Sequence, residues 1–277
     1  MFAALLLASV ALGGPSQAAA ESEPAATPPS AETHPRGRIL DRTAYSLDQL
    51  EARLGLFKWG FGLTNWLQIE SLTLPWVAGA LVQQVIPNAF LHSTLWDRGP
   101  LAIAARGGLL YVGIEEDGVF ARVLLIPTTA AASYRVSETW TAHIRATYSA
   151  AVIDSELDPE DKDIVGQLAT SLLHFDAMGE LRLSPNIGLT FGVRWLAWFD
   201  EPSIRARAGT DDEVELEFDI TIEGLENAVY LYSAVFVTKG WFNLRIGAGW
   251  GDIFALNGTV VFPWKSIVPE LNVYARF

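Results

Sequence analysis

From Thr139 to Val152 the chain reads TWTAHIRATYSAAV, and every second residue changes character along the whole stretch. One set is Trp140, Ala142, Ile144, Ala146, Tyr148, Ala150 and Val152; the other is Thr139, Thr141, His143, Arg145, Thr147 and Ser149. Strand side chains point alternately to opposite faces, so this is one extended strand with an apolar, aromatic-bearing face and a polar one. The pattern recurs in Ile187, Leu189, Phe191, Val193, Trp195, Ala197 and Phe199, opposed by Thr190 and Arg194. It recurs again in Leu173, Phe175, Ala177 and Leu181 against His174, Asp176, Glu180 and Arg182. Val214, Leu216, Phe218, Ile220 and Ile222 likewise alternate with Glu213, Glu215, Glu217, Asp219, Thr221 and Glu223. Strands of a soluble sandwich cluster near about 5–6 residues, whereas a membrane-crossing barrel strand needs about 9–11. Several of these alternations reach the second length. Charge also sits on strand faces, at Arg106, Arg122, Arg145, Arg194 and Arg245. Lipid outside and a polar lumen inside account for both features. The fold class is all-β, an antiparallel transmembrane β-barrel.

No later segment reaches the roughly 18 apolar residues of a membrane helix; LPWVAGALVQQVIP is interrupted at Gln83 and Gln84. At the N-terminus an apolar core from Phe2 to Leu12 leads into Ala18-Ala19-Ala20 and Glu21. That is the pattern of a secretory signal, residues 1–20, although basic residues are missing before the core and Met1 is questionable as the start. Residues 21–37 are rich in Pro, Ala, Ser, Thr and Glu, as in a disordered linker, and residues 38–277 form the barrel. The formal net charge of −13 excludes a nucleic-acid partner, which needs a basic face. With no Cys in the chain, disulfides, thiol nucleophiles and thiolate-bound metals are excluded.

Alternation and turn punctuation place strands at 52–62, 65–73, 87–97, 101–113, 118–136, 139–153, 168–183, 187–200, 213–223, 227–238, 240–250, 258–265 and 270–277. That is thirteen, and single-chain bacterial barrels have even numbers. The expected count is about twelve, with ten or fourteen open, and the surplus is expected between residues 50 and 90, or through an uncounted strand near 38–46. Tight turns at Arg98-Gly99-Pro100, Ser137-Glu138 and Ser184-Pro185-Asn186 then share one rim, and the loops near 154–167 and 201–212 the other.

The chain closes on ELNVYARF, with Leu271, Val273, Ala275 and Phe277 at alternate positions. In this it resembles bacterial outer-membrane β-barrel proteins, whose last strand ends in Phe after alternating apolar residues. Ala275 is a weaker match where an aromatic is common. The stretch WGFGLTNWLQIES is similar to a turn found in uncharacterised proteins of that class. The resemblance covers about residues 50–277. It implies a Gram-negative outer-membrane location, contact with outer-membrane lipid, and the barrel-assembly machinery as a partner during insertion, with Leu271, Val273, Ala275 and Phe277 as the signal.

The candidate site is the inward-facing charge: Arg106, His143, Arg145, His174, Asp176, Glu180, Arg182, Arg194, Glu215, Glu217, Asp219 and Arg245. Glu215, Glu217 and Asp219 are expected to face Arg194. Such residues line a selective pore or pair into a network that fills the lumen. Neither Ser149 nor Ser171 has a spacing that joins it to His143 or His174 as a nucleophile–base pair, so no catalytic residue is assigned. The acidic run Asp154–Asp163 lacks the glycine and spacing of a calcium loop, GAGWG at Gly247 lies in a strand and cradles no phosphate, and no metal or cofactor is expected. The first reading of function is a passive channel or transporter for small polar solutes, not an enzyme. A closed structural or adhesion-type barrel comes second, and an outer-membrane lipid hydrolase third.

Overall fold

The computed structural model describes residues 39–40, 42–81, 86–116, 119–157, 164–208, 214–219, 228–252 and 265–277. The expected signal (1–20) and linker (21–37) lie outside the described residues. The strands are β1 (Ala52–Gly55), β2 (Lys58–Thr64), β3 (Leu67–Leu72), β4 (Asn88–Arg98), β5 (Leu101–Glu116), β6 (Val119–Arg135) and β7 (Trp140–Leu157). They continue as β8 (Ile164–Arg182), β9 (Ile187–Ala208), β10 (Val214–Asp219), β11 (Val229–Lys239), β12 (Phe242–Asp252) and β13 (Lys265–Arg276). Among the described residues one helix, α1 (Thr73–Leu81), follows β3.

Around the ring, β9 pairs with β11 and every other strand except β10 pairs antiparallel with the next in sequence, and β1 returns to β13, with Arg53 opposite Arg276 and Leu54 opposite Ala275. The sheet therefore closes. β10 stands aside from the ring. The lower half of β9 (Ile187–Trp195) pairs with β11, and only its extension (Ser203–Ala208) pairs with β10. Twelve strands make the ring. The surplus strand is thus β10, not an element between residues 50 and 90 as the pattern suggested. The stretch 52–62 proves to be two strands, β1 and β2, joined at Leu56-Phe57. The expected strand at 258–265 falls on undescribed residues except for Lys265, which already belongs to β13.

The pattern of exposure is inverted relative to a soluble protein. Ile144 (62% exposed), Phe175, Phe191, Trp195, Leu231, Val235, Ile246 and Leu271 face outward, while Arg194, Asp176, His143, Thr190 and Asn243 are buried inside. This is the arrangement expected where lipid replaces water on the outer wall. Turns at the rim holding Phe277 are tight; Gly99 and Gly240 take φ of 62° and 59° there, a region that costs a residue without a Cβ nothing. The face expected to continue through Ala197 and Phe199 breaks at a bulge. His174 pairs with Leu196 and Leu173 with Trp198, so Trp198 points out and Phe199 packs on the buried Leu172, Leu196 and Ala228.

Residues 42–50 contain no strand, which corrects the possibility of one near 38–46. Ile39, Leu40, Ala44, Tyr45 and Leu47 are buried inside the ring. The segment is held by side chains of the wall: Ala44 N–H donates to Ser133 Oγ (2.9 Å), Thr94 Oγ1 donates to Ala44 O (2.8 Å), and Leu47 N–H donates to Gln68 Oε1.

Candidate functional site

The inward faces of the wall meet in three clusters, each a carboxylate held between two cations. On β8, Asp176 Oδ2 accepts from Arg194 Nε (3.2 Å) and Nη2 (3.0 Å) of β9 and from Arg145 Nη2 (3.0 Å) of β7. Its other oxygen accepts from Tyr232 Oη at 2.6 Å. On β3, Glu70 accepts from Lys58 Nζ, Gln68 Nε2 and Arg106 Nε, each at 2.8 Å. On β13, Glu270 accepts from Arg42 Nη2 at 3.2 Å and faces Arg245 Nη2 at 3.0 Å. Arg42 also lies 4.5 Å over the ring of Tyr232, tying the Asp176 and Glu270 clusters together through the lumenal segment.

Between the clusters is a cavity of about 460 Å³, bordered by Arg42, Lys58, His92, Arg106, Arg145 and Glu270. Its wall turns apolar at Leu40, Phe57, Leu72 and Leu271. Buried charges persist only where partners satisfy them, and the two-to-one arrangement explains how so many cations are held together. Packing contributes on the β11–β12 side, where Gly249 leaves room for the ring of the fully buried Tyr230.

Among the residues expected from sequence, Arg106, Arg145, Asp176, Arg194 and Arg245 come together in these clusters, and His174 is buried beside Asp176. His143, Glu180 and Arg182 form a separate group. Arg182 Nη2 lies 2.8 Å from Glu180 Oε1, and His143 Nε2 lies 3.4 Å from Glu180 Oε2. His143 Nδ1 is 2.8 Å from Ser133 Oγ, a serine the spacing arguments passed over. That hydroxyl already accepts the Ala44 N–H, and Tyr45 stands edge-on to the imidazole, with ring centroids 6.3 Å apart. The trio therefore clamps the lumenal segment. The side chains of Glu215, Glu217 and Asp219 lie outside the described residues. Their backbone pairs with Arg207, Arg205 and Ser203, whereas Arg194 is paired with Tyr230 and Asp176, so the expected juxtaposition with Arg194 is not formed. Of the acidic run, 154–157 belong to β7 and 158–163 are outside the described residues.

Glu70, Glu270, Arg42, Lys58 and His92 were missed. Glu270 was legible, since it stands two residues before the inward Asn272. Arg42 was not, because the segment around it has no periodicity and is placed entirely by tertiary contacts. At the chain end, Leu271 and Phe277 are exposed, and Phe277 stacks on Trp241 with centroids 6.1 Å apart and planes at 12°.

A closed ring of twelve antiparallel strands, apolar outside and charged inside, defines the class: this is a β-barrel of the outer-membrane type. No protein-family model and no curated protein matches the sequence. Among solved structures the chain is similar to the translocator domain of the autotransporter NalP from Neisseria meningitidis, at 10% identity and TM-score 0.33 over 82% of this chain and 86% of that one. It is also similar to the outer membrane protease OmpT from Escherichia coli, at 8% identity and TM-score 0.37 over 84% of this chain and 97% of that one. A third is the CymD monoaromatic hydrocarbon channel, at 8% identity and TM-score 0.39 over 88% of this chain and 90% of that one.

Proposed function

We infer that this barrel is a gated pathway for small solutes across the outer membrane of a Gram-negative bacterium, closed in this state by residues 42–50. Export through residues 1–20 and insertion through Leu271, Val273, Ala275 and Phe277 by the barrel-assembly machinery belong to the same reading, with outer-membrane lipid as the surrounding partner. The observation that carries it is the lumenal segment. It lies inside the ring without joining the sheet, and polar side chains hold it, at Ser133, Thr94 and Gln68. A plug held by separable hydrogen bonds can leave without breaking the wall, whereas a barrel meant to stay shut is better served by side chains of its own strands. No catalysis is assigned, because Ser133 and His143 are both consumed in holding the segment.

Planar-bilayer conductance tests this. The full chain is expected to conduct rarely, and deletion of residues 39–47 to raise conductance several-fold. In an Ala44→Cys/Ser133→Cys variant, the only two cysteines of the protein would keep the barrel closed until a reductant is added. A deletion variant that folds and conducts no better than the full chain would instead establish the closed, structural barrel.

A further inference from the structure

We propose that the lumenal cavity opens sideways into the membrane, through a gap between β13 and the Leu56-Phe57 turn, and takes up an uncharged, apolar solute there. This deepens the reading of the barrel as a solute pathway and rests on it, since residues 42–50 close the axial route in this state.

The height of the wall is the first argument. β1, β2 and β3 have 4, 7 and 6 residues, against 18, 19 and 22 in β7, β8 and β9. A strand needs about 9–11 residues to cross the hydrocarbon, so the low wall stops inside it. Register fixes where. Leu56 N–H donates to Val273 O and Phe277 N–H to Ala52 O, both at 3.0 Å, so the turn stands four residues above the chain end. At about 3.3 Å per residue and a tilt of about 45°, that is roughly 9 Å up an apolar band about 25 Å tall. After β3 the chain continues as α1, whose Thr73 N–H donates to Phe57 O at 2.9 Å. A helix keeps its backbone bonds internal, as hydrocarbon demands, and α1 exposes Leu74, Trp76, Val77 and Leu81.

The edge of β13 is the second argument. Beyond Val273 it has no partner strand on the β1 side among the described residues. Phe277 and Val273 turn their backbone groups toward β1, so Leu271, Pro269 and Ile267, at the same parity, turn theirs to that side too. Pro269 therefore stands where a missing N–H costs no ladder bond, the kind of edge to which proline is confined. An open edge facing lipid is not tolerated, whereas one that lines a cavity is. Pro269 and Leu271 both lie on the exposed outward face of β13, and both border the cavity of about 460 Å³. The same cavity reaches His92, Thr129 and Arg145, on the inward faces of β4, β6 and β7. It therefore passes through the wall, with Phe57, 40% exposed at the turn tip, on the other side of the gap.

The lining selects the solute. The charged groups around the cavity already hold one another: Lys58 and Arg106 at Glu70, Arg145 at Asp176, and Arg42 and Arg245 at Glu270. A charged solute would lose its hydration to reach groups that are already paired. The remaining lining is apolar at Leu40, Phe57, Leu72, Ala131 and Leu271. An uncharged, apolar molecule suits it, and the hydrocarbon outside the gap is where such a molecule concentrates.

Uptake of N-phenyl-1-naphthylamine, an uncharged apolar fluorophore, by the full chain in phosphatidylcholine nanodiscs tests this. Its emission is expected to show a saturable component above the linear partitioning of empty discs. Because the chain has no Cys, Phe57→Cys can be tagged with methanethiosulfonate ethylsulfonate in the unfolded chain and refolded, which sets a fixed charge in the gap. The heat-dependent gel shift reports folding, and Leu271→Cys, across the gap, serves if the first variant does not refold. The tag is expected to slow saturable uptake at least about tenfold, and a reductant to restore it. The same tag on Ile187→Cys, exposed on the outer face of β9, is expected to change nothing. Absence of a saturable component, or uptake by the tagged barrel at the untagged rate, would overturn the lateral gap. So would 1-anilino-8-naphthalenesulfonate, the same ring system with a negative charge, binding as tightly as the uncharged probe. Uptake is read without ion current, so a barrel that takes up the probe but never conducts would sink the axial pathway and leave the gap standing. One that conducts after removal of residues 39–47 but shows no saturable uptake would sink the gap alone.

Discussion

The two sides of this barrel are built by different means. From β5 to β9 the wall is tall. Pairing runs unbroken from Arg135–Thr141 to Val119–Leu157 between β6 and β7, and the outer face of β7 is apolar from Trp140 to Val152, above which Arg122 and Asp154 pair outward. From β1 to β3 the wall is low, and its support comes from elsewhere. Leu50 N–H donates to Gly62 O, Gly62 N–H to Glu51 O, Gln49 N–H to Asn65 Oδ1 and Ser46 Oγ to Asn65 O. The tall wall is a self-sufficient ladder, whereas the low wall is braced by residues 42–51 running along its inner side. A barrel that needed only to be rigid would have no use for the second construction. One that opens needs a part whose stability is separable from the rest.

Removing the carboxylate of each cluster should separate the two sides most sharply. Asp176→Ala removes the carboxylate between Arg194, only 3% exposed, and Arg145, and breaking a buried pair in this way costs about 3–5 kcal/mol. Glu70→Ala should cost less, because Lys58 and Arg106 keep 18% and 24% exposure and can turn into the cavity. Urea unfolding of barrels refolded in lipid measures both. Equal losses would mean that the low side is as sealed as the tall one.

A charge on the outer face tests the same contrast from the lipid side. Ile144 lies midway between the outward aromatics Trp140 and Tyr148, so Ile144→Arg should destabilise by about 2–4 kcal/mol, as for a cation at the midplane. Phe57→Arg sits at the turn between β1 and β2 on the border of the lumenal cavity, where the guanidinium can reach polar side chains, and should cost well under half as much. A Phe57→Arg variant as unstable as Ile144→Arg would show that this turn is shut off from water and from the cavity.

The tall wall was legible in the sequence because long strands with one face in lipid must alternate strictly, and a one-residue slip would turn every charge outward. Arg145, Asp176 and Arg194 followed from that parity alone. The low wall was not legible. At the Leu56-Phe57 turn the only turn residue is Gly55, flanked by apolar Leu54, Leu56 and Phe57, so β1 and β2 read as one strand. β10 misled in the opposite sense: Val214–Phe218 alternate as cleanly as any ring strand, yet alternation reports a two-faced strand, not membership of the closed ring. The site was half visible for the same reason. Its wall residues obey a period, whereas Arg42 and the lumenal segment are placed by contacts far apart in sequence, such as Ala44 with Ser133.

The smallest perturbation addresses the brace itself. A Cβ on Gly62 would run into the Asp48 carbonyl, whereas a Cβ on Gly107 of the tall wall would meet nothing within 4 Å. Gly62→Ala must therefore push the lumenal segment off β2, an overpacking cost of about 1–3 kcal/mol, while Gly107→Ala should stay within about 0.5 kcal/mol of the parent. If the low wall and the segment form one separable unit, Gly62→Ala should also raise bilayer conductance relative to Gly107→Ala. The ring of β4–β9 should keep its slow amide exchange. Loss of protection spreading into β7 and β8 would instead tie the brace to the whole barrel and remove the distinction between the two sides.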